Sequence, residues 1–279
     1  AANKATIVVY GQIDYFENEQ IILKDGQKLV GTEYFTGYSG KAKFSRLNFQ
    51  SNLMQNAVKL GANSLLSDLS INYNNDNPAD ANISAVNADR ISVEVRNVDI
   101  RLYYSYNANV SSSRGINVQR EAKLILSGHI NIANDSDKYA YGILASQNST
   151  LIFAENSQIN IKNSGKNGYG VYIHNGSSLN VMNQSEVNID MSGAEASGLI
   201  IAESSNVKAL PGSQINIKAG NIGLWARESS KADFYGRLNV FGKLRTIYLS
   251  SVDLANTIDI HNGAQVSLLS LIHISEPTR

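Results

Sequence analysis

YGVYIHNGSSLNVMNQSEVNI, residues 169–189, decides the fold. YGVYI, SSLNV and VNI each place aliphatic residues at every second position, and Asn, Gly or Ser follows each run within a few residues. Period two marks a strand with one buried face, and the Asn, Gly and Ser clusters between the runs supply turns. Three strands packed into so short a stretch leave no room for helices.

The same three beats recur along the chain. The VNI beat reads SINY at 70–73, DIRL at 99–102, HINI at 129–132, QINI at 158–161 and 214–217, RLNV at 237–240 and TIDI at 257–260. Its first apolar residues are Ile71, Ile100, Ile130, Ile159, Val187, Ile215, Leu238 and Ile258, at spacings of 29, 30, 29, 28, 28, 23 and 20. The YGVYI beat reads RGINV, YGILA, SGLII, IGLWA and TIYL elsewhere, and the SSLNV beat reads AKLIL, STLIF, SNVKA and SKADF. A repeat whose units cannot bury a face alone is stable only when stacked. Coiling the chain so that each strand pairs with its equivalent one turn later gives an all-β, single-stranded, right-handed parallel β-helix. It has three short strands per coil of about 20–30 residues.

Alternation then assigns the faces. Ile143 and Ala145, Val171 and Ile173, Leu199 and Ile201, and Leu224 and Ala226 point inward on one strand. Leu151 and Phe153, Leu179 and Val181, Val207 and Ala209, and Ala232 and Phe234 do so on another. Residues 69–262 are the regular repeats. Residues 1–68 are irregular early coils, with turns at Asp25-Gly26 and Gly31 and a short amphipathic helix around Leu53 to Leu60. Leu47 precedes Ile71 by 24 residues and keeps the phase. Residues 263–268 read as a truncated coil.

Composition narrows the functions. Lys plus Arg and Asp plus Glu are 24 each, so no net charge draws the chain to nucleic acid or an anionic membrane. Without cysteine there are neither disulfides nor thiolate-held metals, which suits export to an oxidising compartment. No apolar run reaches the length of a membrane-spanning helix.

The repeated unit, with its G-[I/V]-x-[I/A] and S-x-L-x-V beats, resembles autotransporter passenger domains of Gram-negative bacteria. The lead-in IVVYGQIDYFENEQIILKDGQKLVG is similar to the first coils of pectin-lyase-like domains in intimin- and invasin-like inverse autotransporters. The resemblance covers most of 1–262. It implies a cell-surface or released adhesin working by attachment or self-association, with a membrane barrel domain elsewhere in the same gene. Its partners would be a host or abiotic surface, a glycan or another copy. The last eleven residues, LSLIHISEPTR at 269–279, resemble a translated sequencing adapter and are left out of the fold reading.

Catalytic signals are weak, and the reading assigns no catalytic, cofactor-binding or metal-binding residue. The NTD, GHG and RIK strings of polygalacturonase-like enzymes do not occur, nor does G-x-S-x-G. Asp89, Arg90, Asp99 and Arg101 read as surface ion pairs, and Asp135 and Asp137 as a solvated turn. His129, His174, His261 and His273 lack metal-ligand spacing. GKNGYG at 165–170 has no helix to present to a phosphate. A pectin-lyase-like carbohydrate-active enzyme and a phage tail-spike-like glycan-binding trimer are the rival functions.

Two outward columns carry information. Asn72, Arg101, Asn131, Asn160, Asn188, Asn216, Asn239 and Asp259 form a polar ladder, read as structural. Asn117, Leu144, Tyr172, Ile200, Trp225 and Tyr248 form the other, apolar or aromatic at five of its six places where water is expected. Such a stripe means either contact with a partner or cover by a loop. Leu144, Tyr172, Ile200, Trp225 and Tyr248 are therefore the candidate lateral contact face.

Overall fold

In the computed structural model, residues 4–16, 19–36, 45–51, 56–75, 82–104, 112–136, 139–250 and 256–269 are described. The chain is a parallel β-solenoid. Among the described residues every ladder joins a strand to one a coil away, and the strands form a 17-stranded and a nine-stranded sheet.

Each coil contributes to three columns. The first holds SSLNV-type strands such as Thr150–Phe153, Ser178–Val181 and Asn206–Ala209. The second holds Gln158–Asn163, Glu186–Met191, Gln214–Ala219 and their equivalents. The third is the nine-stranded sheet, from Ile21–Ile22 through Gly168–Ile173 to Arg245–Ser250. In three coils the first two columns fuse into single long strands, Leu65–Asn75, Ser92–Tyr104 and Lys123–Asn134. Those strands bend at Asp68, Asn97 and Gly128, whose φ values of 57°, 51° and 65° are left-handed. Asn97 Nδ2 donates to Asp68 Oδ1 at 2.9 Å, and Asn97 Oδ1 accepts from the His129 amide at 2.9 Å. The short polar side chains thus bond across the corner that the backbone turns.

One cluster of buried apolar residues runs from Val9 to Val240. All the inward pairs expected from alternation lie in it or, for Ala226, are buried beside it. Gly115, Gly142, Gly170, Gly198 and Gly223 share one place in five successive rungs of the third column. A Cβ there would lie 2.2–2.4 Å from a methyl of Ile132, Ile161, Ile189, Ile217 or Val240, and 2.6–2.7 Å from a carbonyl oxygen of the next rung. The repeated YG beat is a close-approach requirement. Corners are closed by buried polar groups. Ser149 and Ser177 amides donate to Ser177 Oγ and Ser205 Oγ, both at 3.1 Å. Asn163, fully buried, donates to the Ala140 carbonyl at 3.0 Å and accepts from the Gly165 amide at 2.7 Å.

Four sequence readings need correction. TIDI lies in the first column, Ile258 opposite Ala232, and the second-column strand that follows Arg237–Gly242 is Gln265–Leu269, with Val266 opposite Leu238. That interval is 28 residues, close to the regular repeat. Asn131 pairs with Asp99, and Arg101 with Asn72 and Ala133, because the corner Gly128–His129 carries one more residue than its counterpart at Asn97. Gly31 ends the strand Lys28–Gly31 and meets the Asp68 carbonyl, so close packing selects it instead of a turn. Asn56–Lys59 is a strand of the third column where a helix was expected; 52–55 lie outside the described residues. Among the described residues the helix is a single turn, Glu33–Thr36.

Candidate functional site

The outer surface of the third column carries the candidate face. Asn117, Leu144, Tyr172, Ile200, Trp225 and Tyr248 pair one to the next in unbroken register. Parallel rungs lie about 4.8 Å apart, so five intervals span about 24 Å. Leu144 and Ile200, however, are only 6% and 2% exposed. The longer side chains around them reach further from the sheet, and the accessible surface belongs to the half-buried Tyr172, Trp225 and Tyr248. The stripe is a row of aromatic side chains with aliphatic residues sunk between them.

Those rings belong to a larger cluster that the column alone did not reveal. Three positions earlier on each rung stand Arg114, Tyr141, Tyr169, Ser197 and, at the far end, Ile222 and Arg245. Tyr141, Tyr169 and Tyr172 pack with centroids 5.1–5.9 Å apart, and His174 stacks on Tyr172 at 4.8 Å. Arg227 donates to the Tyr172 hydroxyl at 2.6 Å and lies over the Trp225 ring at 5.1 Å; Arg245 lies over Tyr248 at 4.0 Å. Trp225 Nε1 donates to Ser250 Oγ at 2.7 Å. Burial pushes the Tyr141 phenol up to about 12, with Tyr169 and Tyr172 adding to the rise, and burial raises those two phenols as well. Burial also lowers Arg114. Buried side-chain atoms without a hydrogen-bond partner gather here: Nε of Arg114 and Arg227, and Oδ1 of Asn117 and Asn167. The recurring beat was the available signal for Tyr141 and Tyr169, and for Arg114 at the head of RGINV; nothing in it marked Arg227 or Arg245.

The second column's outer face holds the polar ladder. Asn239, Asn216, Asn188 and Asn160 each donate Nδ2 to Oδ1 of the Asn one rung earlier, at 2.7–2.9 Å, and Asn131 donates to Asp99. A shorter ladder runs from Asn72 to Asn48 at 2.8 Å and on to Asp14 at 2.6 Å. Every donor points the same way, and each series ends on a carboxylate, which only accepts. Arg101 and Asp259 stand outside it: Arg101 is exposed, and Asp259 shares Lys231 with Asp233. Beside the ladder runs a groove of about 690 Å³ lined by Arg46, Asp99, Arg101, Lys162 and Asp190 among others.

The remaining sequence candidates are dispersed. Asp89 pairs with Arg120 on the third column, on a different sheet from Asp99. Asp135 accepts from Ser164, while Asp137 and His273 lie outside the described residues. His129 meets Gln158, His174 meets Glu203, and His261 meets Asp233. Among the described residues no three His, Asp or Glu side chains gather as a metal site. Comparison with family models found no match, and comparison with curated proteins found no relative.

Proposed function

We propose that this chain is the passenger part of a bacterial surface-displayed protein. It is held outside the outer membrane of a Gram-negative cell and acts without catalysis in adhesion or self-association. One observation carries the reading: a rigid solenoid presents, on one lateral face, a row of aromatic rings interleaved with arginines. Aromatic and arginine side chains dominate contact energetics, and a preformed sheet gives up little conformational entropy on binding. The sequence resemblance to autotransporter passengers points the same way. The test is Tyr172→Ser, Trp225→Ser and Tyr248→Ser together in the surface-displayed protein, scored for cell aggregation and attachment at matched display. Attachment should fall while the purified chain keeps its melting transition. Unchanged attachment on an intact fold removes this face from the account.

A second reading, a carbohydrate-active enzyme, is favoured by the groove beside the ladder, where Lys162 and Asp190 stand in adjacent rungs. New reducing ends or unsaturated products from polygalacturonate would support it.

A further inference from the structure

We propose that the aromatic–arginine face binds an anionic polysaccharide, one carrying carboxylate or sulfate groups, laid parallel to the solenoid axis. This rests on the contact-face reading above and names its ligand. Arg114 and Arg245 occupy the same position on rungs about 24 Å apart, and among the described residues neither has a carboxylate partner. Arg114 is half-buried with its Nε unsatisfied. A desolvated guanidinium without a counterion is costly to keep, and an anion that enters with bidentate geometry satisfies it. Arg227 adds a second unsatisfied Nε between the two ends. The face's carboxylates, Glu203 and Glu228, are already engaged by His174 at 3.4 Å and Arg227 at 3.8 Å.

Two other occupants fit less well. A second copy packed antiparallel on this face would bring Arg114 against Arg245, and like charges meeting in a desolvated contact oppose association. Single-stranded nucleic acid binds aromatic proteins by laying bases on free ring faces. Here those faces are taken: Tyr141 and Tyr172 lie 8° from parallel at 5.9 Å, His174 covers Tyr172, and Arg245 covers Tyr248. What remains outward are guanidinium N–H groups, hydroxyls and ring edges, a donor-rich surface suited to an acceptor-rich chain. The rung spacing is close to the length of one hexopyranose in an extended chain, so successive sugars meet successive rungs.

The experiment measures binding of the purified chain to alginate, to dextran sulfate, to neutral dextran and to a single-stranded oligonucleotide, over a salt series. Binding to alginate or dextran sulfate, weakening with salt, with neutral dextran inert, is expected. Arg114→Gln with Arg245→Gln should weaken it roughly tenfold or more, with an unchanged melting transition, and the Arg→Lys pair should recover part of it. Equal binding of neutral dextran, tighter binding of the oligonucleotide, or indifference to the double Gln variant would overturn the proposal. Attachment of displaying cells separates the two failures. If the Gln pair leaves attachment intact while the aromatic triple abolishes it, the face is right and its ligand wrong. If neither affects attachment, the face itself is wrong.

Discussion

Adding one methyl group at Gly170 tests whether the glycine column sets how closely the coils approach. The Cβ of Gly170→Ala would lie 2.3 Å from Ile189 Cγ2 and 2.7 Å from the Gly198 carbonyl oxygen. Both distances fall about 1 Å short of ordinary van der Waals contact. A rotamer change at Ile189 relieves the first contact, but the second is with backbone. Overpacking of a close-packed core costs about 1–3 kcal/mol, and the backbone contact argues for the upper end. At about 2–4 °C per kcal/mol for a chain somewhat shorter than this one, the melting transition should drop by about 6–12 °C. The loss should appear first as faster amide exchange in Gly168–Ile173 and Ser197–Ile201, the rungs in contact. Ile189→Ala alone should cost about 2–5 kcal/mol, Ile189 being 3% exposed. In the double variant the Cγ2 clash has gone, so the two losses should fall short of additive by about 1 kcal/mol or more. Gly11→Ala is the control: φ is 71° and nothing lies within 4 Å of its Cβ, so it reports left-handed strain without a clash. A Gly170→Ala protein as stable as the parent, or strict additivity with Ile189→Ala, would refute the close-approach argument.

Other outcomes follow from the same geometry. Asn188→Asp sets an acceptor against Asn160 Oδ1 and should lower the urea midpoint, at a cost of about 1–2 kcal/mol. Asp99→Asn keeps an acceptor for Asn131 and should stay within about 0.5 kcal/mol of the parent. Asn163→Ala leaves the Ala140 carbonyl and Gly165 amide unpaired inside the corner and should cost about 2–4 kcal/mol by urea unfolding. In alkali, the folded protein holds the Tyr141 proton up to about 12, whereas the unfolded chain releases it near the ordinary phenol value of 10.0. The folded state therefore binds more protons in that window, and stability should be whole below it and fall as pH rises through it. Absorbance of the phenolates and the melting transition, followed together, check the sign; Tyr141→Phe should flatten the fall.

Alternation was enough to place faces, and less than enough to place partners. Moving a strand by two residues leaves every side chain on its own face, so period two is silent about such a shift. That is why Arg101 could be read into the ladder where Asp99 stands, while Ile100 and Ile130 were rightly inward. TIDI shares its alternation with both columns, and only the short interval of 20 from Leu238 hinted at the wrong one. The cover over Leu144 and Ile200 depends on how far neighbouring side chains reach, which no single column contains. Asn134 and Asn163 lie in an inward position that holds Phe49, Tyr73 and Leu102 in earlier rungs. Polar residues there contradict a core assignment until the backbone groups they satisfy are known.

The one-way run of side-chain amides has a meaning beyond stability. Each rung turns an amide oxygen toward the next and takes a donor from it, so an incoming coil fits best when it brings a donor to that place. Asn239 leaves its oxygen toward the position of Ser267, which offers a hydroxyl. The column acts as a grammar of succession: it fixes which end of the stack can be extended by what chemistry, and a reversed amide anywhere would strand one oxygen against another. Aligned amide dipoles also give the outer surface an electrical direction along the axis, a vector that a formally neutral protein carries without any net charge.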